Sequence, residues 1–476
     1  MVLSKLVEAA VPRFGAAGGR HAALAVVALG AALASALVAR YSLLGFLGFL
    51  GICVGGAVIW RPEVGLWLVV AGMVFPGGIP LVGPLTVMRT LSLVTLAAWA
   101  LDAMRRGRRL AWGPHQVAVL GFCALAVASV GWAYQVDAAV EGLQTLGLVV
   151  GLYFIVVNFV DSQARLTRLL YVVIFSGILA AGEGVWQHFS EGMLRAAGWA
   201  EQANFFALSM AVAAPFAVAL ALCETNRPLR TLAGLAAALM SASVLFTVSR
   251  RGLVALAVAI GLLVLLFRHG RLVLFGLCAL LVVVGVSSAS PEFWGRLREP
   301  FEEGNIRFDI WRVGAAMVAQ RPVTGIGFNN ALYEFDRFTM LASGLERGFS
   351  QAWFPHNTYL SVTAELGVVG LVCFLSLLAL SFHQATVARR RFDAANEPLL
   401  FGMSSAGIAS LAGYLCAGFF GDQHLFRHLW LLLALTAVLG RLASQRGADF
   451  SCTNDGHEEP CHLDNSTLSR SQNGRH

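Results

Sequence analysis

The sequence has very little charge for its length. Of its 476 residues, only 13% are Asp, Glu, Lys or Arg, and 57% are hydrophobic. Soluble domains carry about 25% charged residues. The shortage of charge excludes a water-soluble globule and predicts an all-α polytopic membrane protein. The net charge of +7 does not indicate nucleic-acid binding, because arginines in cytoplasmic loops follow the positive-inside rule.

Several chemical motifs are also missing. The sequence has no phosphate-cradling Walker loop, no zinc-ligand helix motif and no evident pair of carboxylates at catalytic spacing on an outer loop. Six of the eight cysteines lie in or at the ends of apolar runs, where thiols behave as small hydrophobic groups. Cys452 and Cys461 lie in a hydrophilic tail without a regular zinc pattern. We therefore predict no metal, no nucleotide cofactor and no disulfide framework.

What the sequence does contain is a series of apolar runs, each about 20 residues long, which predict spanning helices. The candidates cover residues 22–39, 42–60, 64–82, 85–102, 116–134, 142–160, 168–187, 203–222, 231–248, 252–267, 272–288, 358–381, 398–418 and 428–443. The first three are crowded and interrupted by proline, so the predicted count is about 12 to 14. No cleavage site follows the first run, which we interpret as an uncleaved helix.

The charge pattern orients these helices. Arginine clusters such as 105–109 and 389–391 share one side if the crossings alternate, and the positive-inside rule makes that side cytoplasmic. The outer segments are then residues 188–202, 249–252, 289–354 and 421–427. The predicted organisation is a cytoplasmic N-terminus (1–21), transmembrane helices 1 to 11 (22–288), a large outer loop carrying amphipathic helices and catalytic residues (289–357), C-terminal transmembrane helices (358–445) and a disordered cytoplasmic tail (446–476).

The large outer loop contains one amphipathic segment. Asn305 can cap a helix that runs to about Gln320, where Arg321-Pro322 stops it. Its apolar face consists of Ile306, Ile310, Val313 and Met317. That spacing predicts a face that lies on the membrane surface or against the helix bundle.

Three arginines on the outer side are candidates for phosphate binding. Arg307 and Trp311 lie on the stripe beside the apolar face of that helix, and a planar guanidinium suits a phosphate clamp. A solvated charge at the rim is the alternative for Arg307. Arg250 and Arg251 fall in Ser249-Arg250-Arg251-Gly252, a tight connection between two apolar helices. They could bind a diphosphate or extend to lipid headgroups.

His356 is the candidate general base. Pro355 suits the first position of a helix, so His356 is predicted to lie in the opening turn. The partial positive charge of a helix N-terminus disfavours imidazolium and keeps the ring neutral. A proton acceptor needs that state. The alternative is an interfacial residue without a chemical role.

Other polar residues lie at membrane depth, where ionisable side chains usually face the bundle interior. Arg89 is one of them. Glu365 lies about 13 Å along the helix from His356 at a rise of about 1.5 Å per residue, and we interpret it as a buried partner for an arginine. Gln202 and Asn204 begin an outer helix end, and Asn204 is either a helix cap or an amide that contacts a sugar.

These motifs, in this order, resemble the O-antigen ligase and polymerase superfamily. The resemblance is strongest over residues 200–440. The matching motifs are Gln202-Ala203-Asn204, Ser249-Arg250-Arg251-Gly252, Arg307 with Trp311 before Pro322-Val323-Thr324-Gly325-Ile326-Gly327, His356-Asn357-Thr358-Tyr359-Leu360 and Ala364-Glu365-Leu366-Gly367. Each motif is short, and their order around one large loop carries the resemblance.

The resemblance implies a glycosyltransferase at the periplasmic face of a bacterial inner membrane. It implies that His356 is catalytic, that Arg250 and Arg307, with Arg251 beside them, bind an undecaprenyl-diphosphate-linked glycan donor, and that no metal or cofactor takes part. The supporting residues are then Gln202, Asn204, Arg89, Asn357, Trp311 and Glu365. The expected reaction is a metal-independent, inverting transfer of the glycan.

Three functions remain open from the sequence. A ligase in lipopolysaccharide biosynthesis would use lipid A core as acceptor, whereas a polymerase would use a second lipid-linked glycan. Both would work among membrane lipids and neither needs nucleic acid. A lipid-linked oligosaccharide flippase or transporter would also be lined with arginine, but no internal repeat is visible and only the second half carries a long loop.

Overall fold

The computed structural model describes residues 50–75, 80–82, 85–108, 110–200, 202–267, 302–345 and 349–454. Its helices are α1 (Leu50–Trp60), α2 (Pro62–Ala71), α3 (Val87–Arg105), α4 (Pro114–Ala128), α5 (Val136–Phe159), α6 (Gln163–Phe189), α7 (Ala203–Cys223), α8 (Arg227–Phe246), α9 (Arg250–Phe267), α10 (Glu302–Gln320), α11 (Phe335–Thr339), α12 (Thr358–Ala394), α13 (Pro398–Ala417) and α14 (Arg427–Asn454). Short 3-10 turns, Gly72–Val74, Ser129–Trp132 and Gly418–Phe420, extend α2, α4 and α13.

This is an all-α, multi-pass membrane protein, as predicted. Ten helices in the described part of the chain are long and apolar enough to cross a membrane, and each overlaps one of the predicted spans. Both α1 and α2 are shorter apolar helices. The predicted helices at 22–39 and 272–288 lie outside the described residues. The count of about 12 to 14 therefore stays a prediction.

The predicted span at 64–82 differs most from the structure. Its helix ends at Ala71, followed by the Gly72–Val74 turn. Phe75 is extended, with φ −85° and ψ 150°, because a residue before a proline avoids the helical region. The chain then forms an antiparallel pair of strands, β1 (Pro80–Val82) and β2 (Leu85–Thr86). These two short strands are the β structure of the described residues.

The described residues fall into two compact units. The smaller contains residues up to 66 together with 90–108, and the larger contains 67–89 and 109 onward. In the smaller unit, Thr95 packs against Gly65 and donates to the Leu91 carbonyl at 2.7 Å. Asp102 binds Arg106 at its end of α3.

The larger unit is built around α7. This alanine-rich helix contacts α8, α9 and α13, and most of its side chains are buried. Small side chains allow helices to approach closely, which is how helices associate where lipid provides no hydrophobic drive. Helices α13 and α14 are also mostly covered by protein. These helices support the segments that line the cavity described below.

The last helix extends further than predicted. α14 continues to Asn454, into the segment 446–476 that was predicted to be disordered. Arg446 forms an ion pair with Glu397, which ties this part of the helix to the start of α13. A helix already nucleated by packing gains one hydrogen bond for each residue that it adds. Residues beyond 454 lie outside the described residues.

The helix at the beginning of the large loop also starts earlier than predicted. α10 begins at Glu302, so Asn305 lies within the helix and is not its cap. The end at Gln320 is as predicted. Ile310, Val313 and Met317 are buried in one cluster with Phe335 and Phe338 of α11. The apolar face therefore packs against protein, which fixes the loop on the bundle.

Candidate functional site

The large loop and α12 are locked together at a break in the helix. Gly367 has φ 68° and ψ −171°, so the regular helical hydrogen bonds stop there. The segment after α10 replaces them: Ile326 N–H donates to the Ala364 carbonyl at 2.9 Å, and Gly327 N–H donates to the Glu365 carbonyl at 3.0 Å. Buried backbone groups need such partners. The glycine motifs found in the sequence build this junction.

Two of these glycines are required by both conformation and space. Gly325 has φ 69°, and a side chain on it would collide with the backbone of Glu365. A side chain on Gly367 would collide with the backbone of Val323. Only glycine adopts such angles without strain. The loop and the broken helix are thus in direct backbone contact.

His356 lies just before α12 and not in its opening turn. α12 begins at Thr358, and the Asn357 side chain caps it by accepting from Tyr359 N–H at 3.0 Å and Leu360 N–H at 3.1 Å. His356 itself has a left-handed φ of 50°. The prediction of Pro355 at the first helical position is wrong, because the Asn357 cap starts the helix three residues later. Such strained residues concentrate at functional sites.

A carboxylate that the sequence analysis did not select holds this strained residue. Asp422 Oδ2 accepts the His356 backbone N–H at 2.7 Å, and the Asn357 backbone also donates to Asp422. Ser361 Oγ donates to Asp422 Oδ1. The His356 ring Nδ1 lies 3.9 Å from Asp422 Oδ2, beyond hydrogen-bond distance. The carboxylate therefore fixes the backbone and lies close enough to stabilise a charge on the ring.

The loop that carries Asp422 is tied to the start of α12. Thr358 Oγ1 donates to the Gly421 carbonyl at 2.7 Å and accepts from Gln423 N–H at 3.1 Å. Gln423 is held in turn by Tyr414, whose hydroxyl donates to the Gln423 carbonyl at 2.7 Å. These bonds position residues 421–424 beside His356.

The environment sets the protonation states of this pair. Burial, followed by the positive charges of Arg307 and Arg251, lowers the pKa of His356 to about 4. Burial raises the pKa of Asp422 to about 6, against the opposing effect of the Ser361 hydrogen bond. At pH 7 the ring is therefore neutral and the carboxyl is ionised. The predicted neutral ring arises from burial and the two arginines, since His356 lies outside the helix.

The other wall of the site contains the Ser249-Arg250-Arg251-Gly252 motif at the start of α9. Ser249 Oγ donates to Asn204 Oδ1 at 2.7 Å and accepts from Gly252 N–H at 3.2 Å. Asn204 thus joins α7 to α9 and is not the cap of α7, a position that Gln202 occupies. The Arg251 guanidinium lies 5.5 Å from the centre of the Phe205 ring, a cation–π distance.

These segments enclose one cavity of about 910 Å³. Six of the residues selected from the sequence line it: Gln202, Asn204, Arg250, Arg251, Arg307 and His356. It is also lined by Arg195, Asp422, Gln423 and His424, which the sequence analysis did not select. The residues come from all four segments that the charge pattern placed on the outer side. The cavity brings the predicted base and the predicted phosphate-binding arginines together.

The other four selected residues lie elsewhere. Arg89 is in the first turn of α3, where its N–H donates to Thr86 Oγ1 at 3.3 Å. Asn357 serves as the cap of α12, and Trp311 contacts Phe308 on α10. Glu365 is buried and lies 3.7 Å from His424 Nε2. Among the described residues, Glu365 has no arginine partner such as the one predicted; its neighbours there are His424 and the backbone N–H groups of Ala331 and Asn329.

The missed residues share one signal. Asp422, Gln423 and His424 fall in the short segment between α13 and α14, on the side to which the charge pattern assigned the other site segments. Asp422 and His424 are ionisable residues in a short connection between apolar helices, and ionisable residues at membrane depth are candidates for function. In the described residues, no group of three or more His, Cys, Asp or Glu side chains could hold a metal ion.

Residues 235–375 match the family model described as O-antigen ligase. The predicted resemblance to that superfamily is confirmed over this part of the chain. The matched residues include Arg250, Arg251, Arg307 and His356. The chain is also 33% identical over 73 residues to a protein of Rickettsia felis named "Putative polysaccharide ligase", and 36% identical over 73 residues to one of the same name from Rickettsia bellii. Each alignment covers 15% of this chain and 18% of the relative's length.

Proposed function

We propose that this protein transfers a glycan from undecaprenyl diphosphate to a hydroxyl group of lipid A core, at the periplasmic face of a bacterial inner membrane. The observation that carries the proposal is the composition of the cavity wall. A neutral histidine beside an ionised carboxylate faces a group of arginines across one space. That combination can accept a proton and stabilise an anionic leaving group in the same reaction.

The arginines provide the donor site. Arg195, Arg250, Arg251 and Arg307 line the cavity, and among the lining residues Asp422 is the acidic one. Guanidinium groups bind phosphate oxygens with paired hydrogen bonds, which are strongest where water is excluded. Leu425, Phe426 and Phe420 add an apolar portion of the wall. This surface suits a lipid-linked diphosphate.

The reaction is a single displacement. The acceptor hydroxyl oxygen forms a bond to the anomeric carbon while the bond from that carbon to the diphosphate oxygen breaks. Undecaprenyl diphosphate leaves with the electron pair, and the arginines stabilise its growing charge. The proton of the hydroxyl passes to the neutral ring of His356, a step that contributes about 10²- to 10⁴-fold in rate. Attack opposite to the leaving group inverts the anomeric configuration.

Asp422 acts through His356. Its hydrogen bond to the backbone of His356 fixes the left-handed conformation that directs the ring. Its negative charge, 3.9 Å from Nδ1, stabilises the imidazolium that forms when the ring accepts a proton. Asp422 is therefore a positioning residue. No step requires a metal or a nucleotide.

Transfer by the purified protein in lipid bilayers tests the proposal. The donor is a labelled undecaprenyl-diphosphate-linked glycan, supplied with or without lipid A core. We expect label on lipid A core, in agreement with the ligase names of the relatives. Longer glycan made from donor alone would identify a polymerase. Movement of intact donor between leaflets without any transfer would identify a transporter and overturn the enzyme.

A further inference from the structure

His424 is a cavity residue with unsatisfied nitrogen atoms. Its side chain is 9% exposed and lines the cavity two residues after Asp422. Within the described part of the chain, neither ring nitrogen has a hydrogen-bond partner. Buried polar atoms nearly always have partners, so each exception requires an explanation. A bound polar group is the simplest one for a residue in a cavity wall.

Glu365, beside His424, also has a polar atom without a hydrogen-bond partner among the described residues. Its Oε1 accepts the Ala331 N–H at 3.4 Å, whereas Oε2 has no partner among the described residues. Oε2 lies 3.7 Å from His424 Nε2, which is too long for a direct hydrogen bond. A hydroxyl oxygen placed beside this gap can lie about 2.8 Å from both atoms. It would hydrogen-bond to the Glu365 carboxyl group and to a His424 ring nitrogen at the same time.

The backbone keeps the two side chains from closing the gap. The His424 carbonyl accepts from Trp430 Nε1 at 2.9 Å, and the His424 ring packs edge-on against Phe328 at 6.1 Å. The Glu365 carbonyl accepts from Gly327 N–H at the helix break. The pair is thus held apart by contacts from two segments, residues 327–328 and the last helix. A rigid, unsatisfied pair of this kind is typical of a binding subsite.

We propose that His424, in the cavity wall, and Glu365, which lies against His424 just outside the cavity lining, form a subsite that binds a hydroxyl group of the donor's sugar. The subsite rests on the proposed function, because the diphosphate must bind at the arginines for the attached sugar to reach it. Arg251 abuts Gly421 in the segment that carries His424, so the first sugar after the diphosphate is the part within reach. Burial lowers the pKa of His424 to about 4, and its neutral ring suits an uncharged hydroxyl.

Binding of two lipids by the full chain in lipid nanodiscs tests this subsite. One probe is undecaprenyl diphosphate, which has no sugar, and the other is undecaprenyl diphosphate carrying N-acetylglucosamine. We expect His424→Phe and Glu365→Gln each to weaken binding of the sugar-bearing lipid about tenfold. Binding of the bare lipid should stay within about twofold of the wild type. The matched control is His188→Phe, since His188 lies outside the cavity lining.

The outcomes separate the two proposals. Equal weakening for both lipids, or no weakening for either, would overturn the sugar subsite while the diphosphate site remained supported. Loss of thermal stability with unchanged binding would likewise show that the pair is structural and would overturn the subsite. Wild-type protein that binds neither lipid would overturn the proposed function and the subsite with it. Glu365→Gln keeps the side-chain size, so it tests the subsite even where His424→Phe fails to fold.

Discussion

Two groups of polar side chains in the larger unit differ in what satisfies them. In the first, His115 Nδ1 lies 2.7 Å from the Tyr153 hydroxyl and its Nε2 lies 2.7 Å from Ser381 Oγ. All three residues are fully buried, and none of them lines the cavity. In the second, the cavity wall, His424 has no partner for either nitrogen in the described structure.

The comparison contrasts a structural histidine with the histidine for which a ligand-binding role is proposed. A buried ring whose nitrogens are both occupied by protein has no capacity left for a substrate. The cluster around His115 joins three helices, α4, α5 and α12, and stabilises their packing. In the cavity wall, the ring nitrogens of His424 have no hydrogen-bond partner among the described residues. This costs stability, as is common at functional sites. Four variants test this contrast, in order of expected effect.

Replacing the proposed base should have the largest effect. His356→Gln keeps a polar side chain but cannot accept a proton near neutral pH. We expect glycan transfer to fall by about 10²- to 10⁴-fold, with binding of undecaprenyl diphosphate retained. His188→Gln is the control, since His188 packs on Phe246 away from the cavity. Full transfer by His356→Gln would contradict the mechanism.

A change in the shape of one cation should have the next largest effect. Arg251 is buried and stacks on Phe205, so Arg251→Lys keeps the charge but loses the planar fork. Binding of undecaprenyl diphosphate should weaken by about 10- to 100-fold, because lysine cannot make paired hydrogen bonds in this position. The control, Arg165→Lys, changes a partly buried arginine outside the cavity lining that pairs with Asp161. Equal affinity in both variants would exclude Arg251 from the donor site.

The pH dependence tests the role of Asp422. Its raised pKa of about 6 means that the carboxyl gains a proton as the pH falls through 6 and loses the charge that stabilises the imidazolium. Transfer should therefore decrease about tenfold per pH unit below 6. In Asp422→Asn this decrease should vanish, leaving a lower rate until His356 protonates at about 4. An unchanged profile in Asp422→Asn would assign the titration to another group.

The smallest effect on transfer is expected in the satisfied cluster. His115→Phe removes both hydrogen bonds and leaves the buried Tyr153 hydroxyl without this partner. Thermal unfolding in lipid should show a loss of about 1–3 kcal/mol in stability. The transfer rate of the folded protein should stay within about twofold of the wild type. Loss of transfer without loss of stability would contradict the purely structural role of His115.

Much of the architecture follows from local sequence. Apolar runs of membrane length predict the spans, because lipid satisfies no backbone polar group and helices are the remaining solution. The helix starts are less predictable. Asn357 captures the start of α12 although Pro355 favours an earlier one, and Glu302 extends α10 past the expected cap at Asn305. Such ends depend on which cap the surrounding structure stabilises.

The site was predictable only where residue type indicates chemistry. Arg250, Arg307 and His356 stand out as charged or titratable groups beside apolar runs. Asp422 did not, because its contact with His356 joins residues 66 positions apart. The Glu365–His424 pair likewise joins α12 to the distant segment between α13 and α14. Sequence spacing does not specify such long-range geometry.

The junction at Gly367 also determines which residues must be exchanged together in a chimera of this chain and a relative. The backbone of residues 322–327 completes the hydrogen bonding of residues 364–368, since Val368 N–H donates to the Pro322 carbonyl at 2.8 Å. Neither segment can be transplanted alone without orphaning the amides of the other. A chimera that is meant to carry a different sugar preference should therefore exchange residues 322–368 as a single cassette, together with residues 421–424, which include His424. A crossover point inside residues 322–368 would separate α12 from the loop backbone that completes its hydrogen bonding.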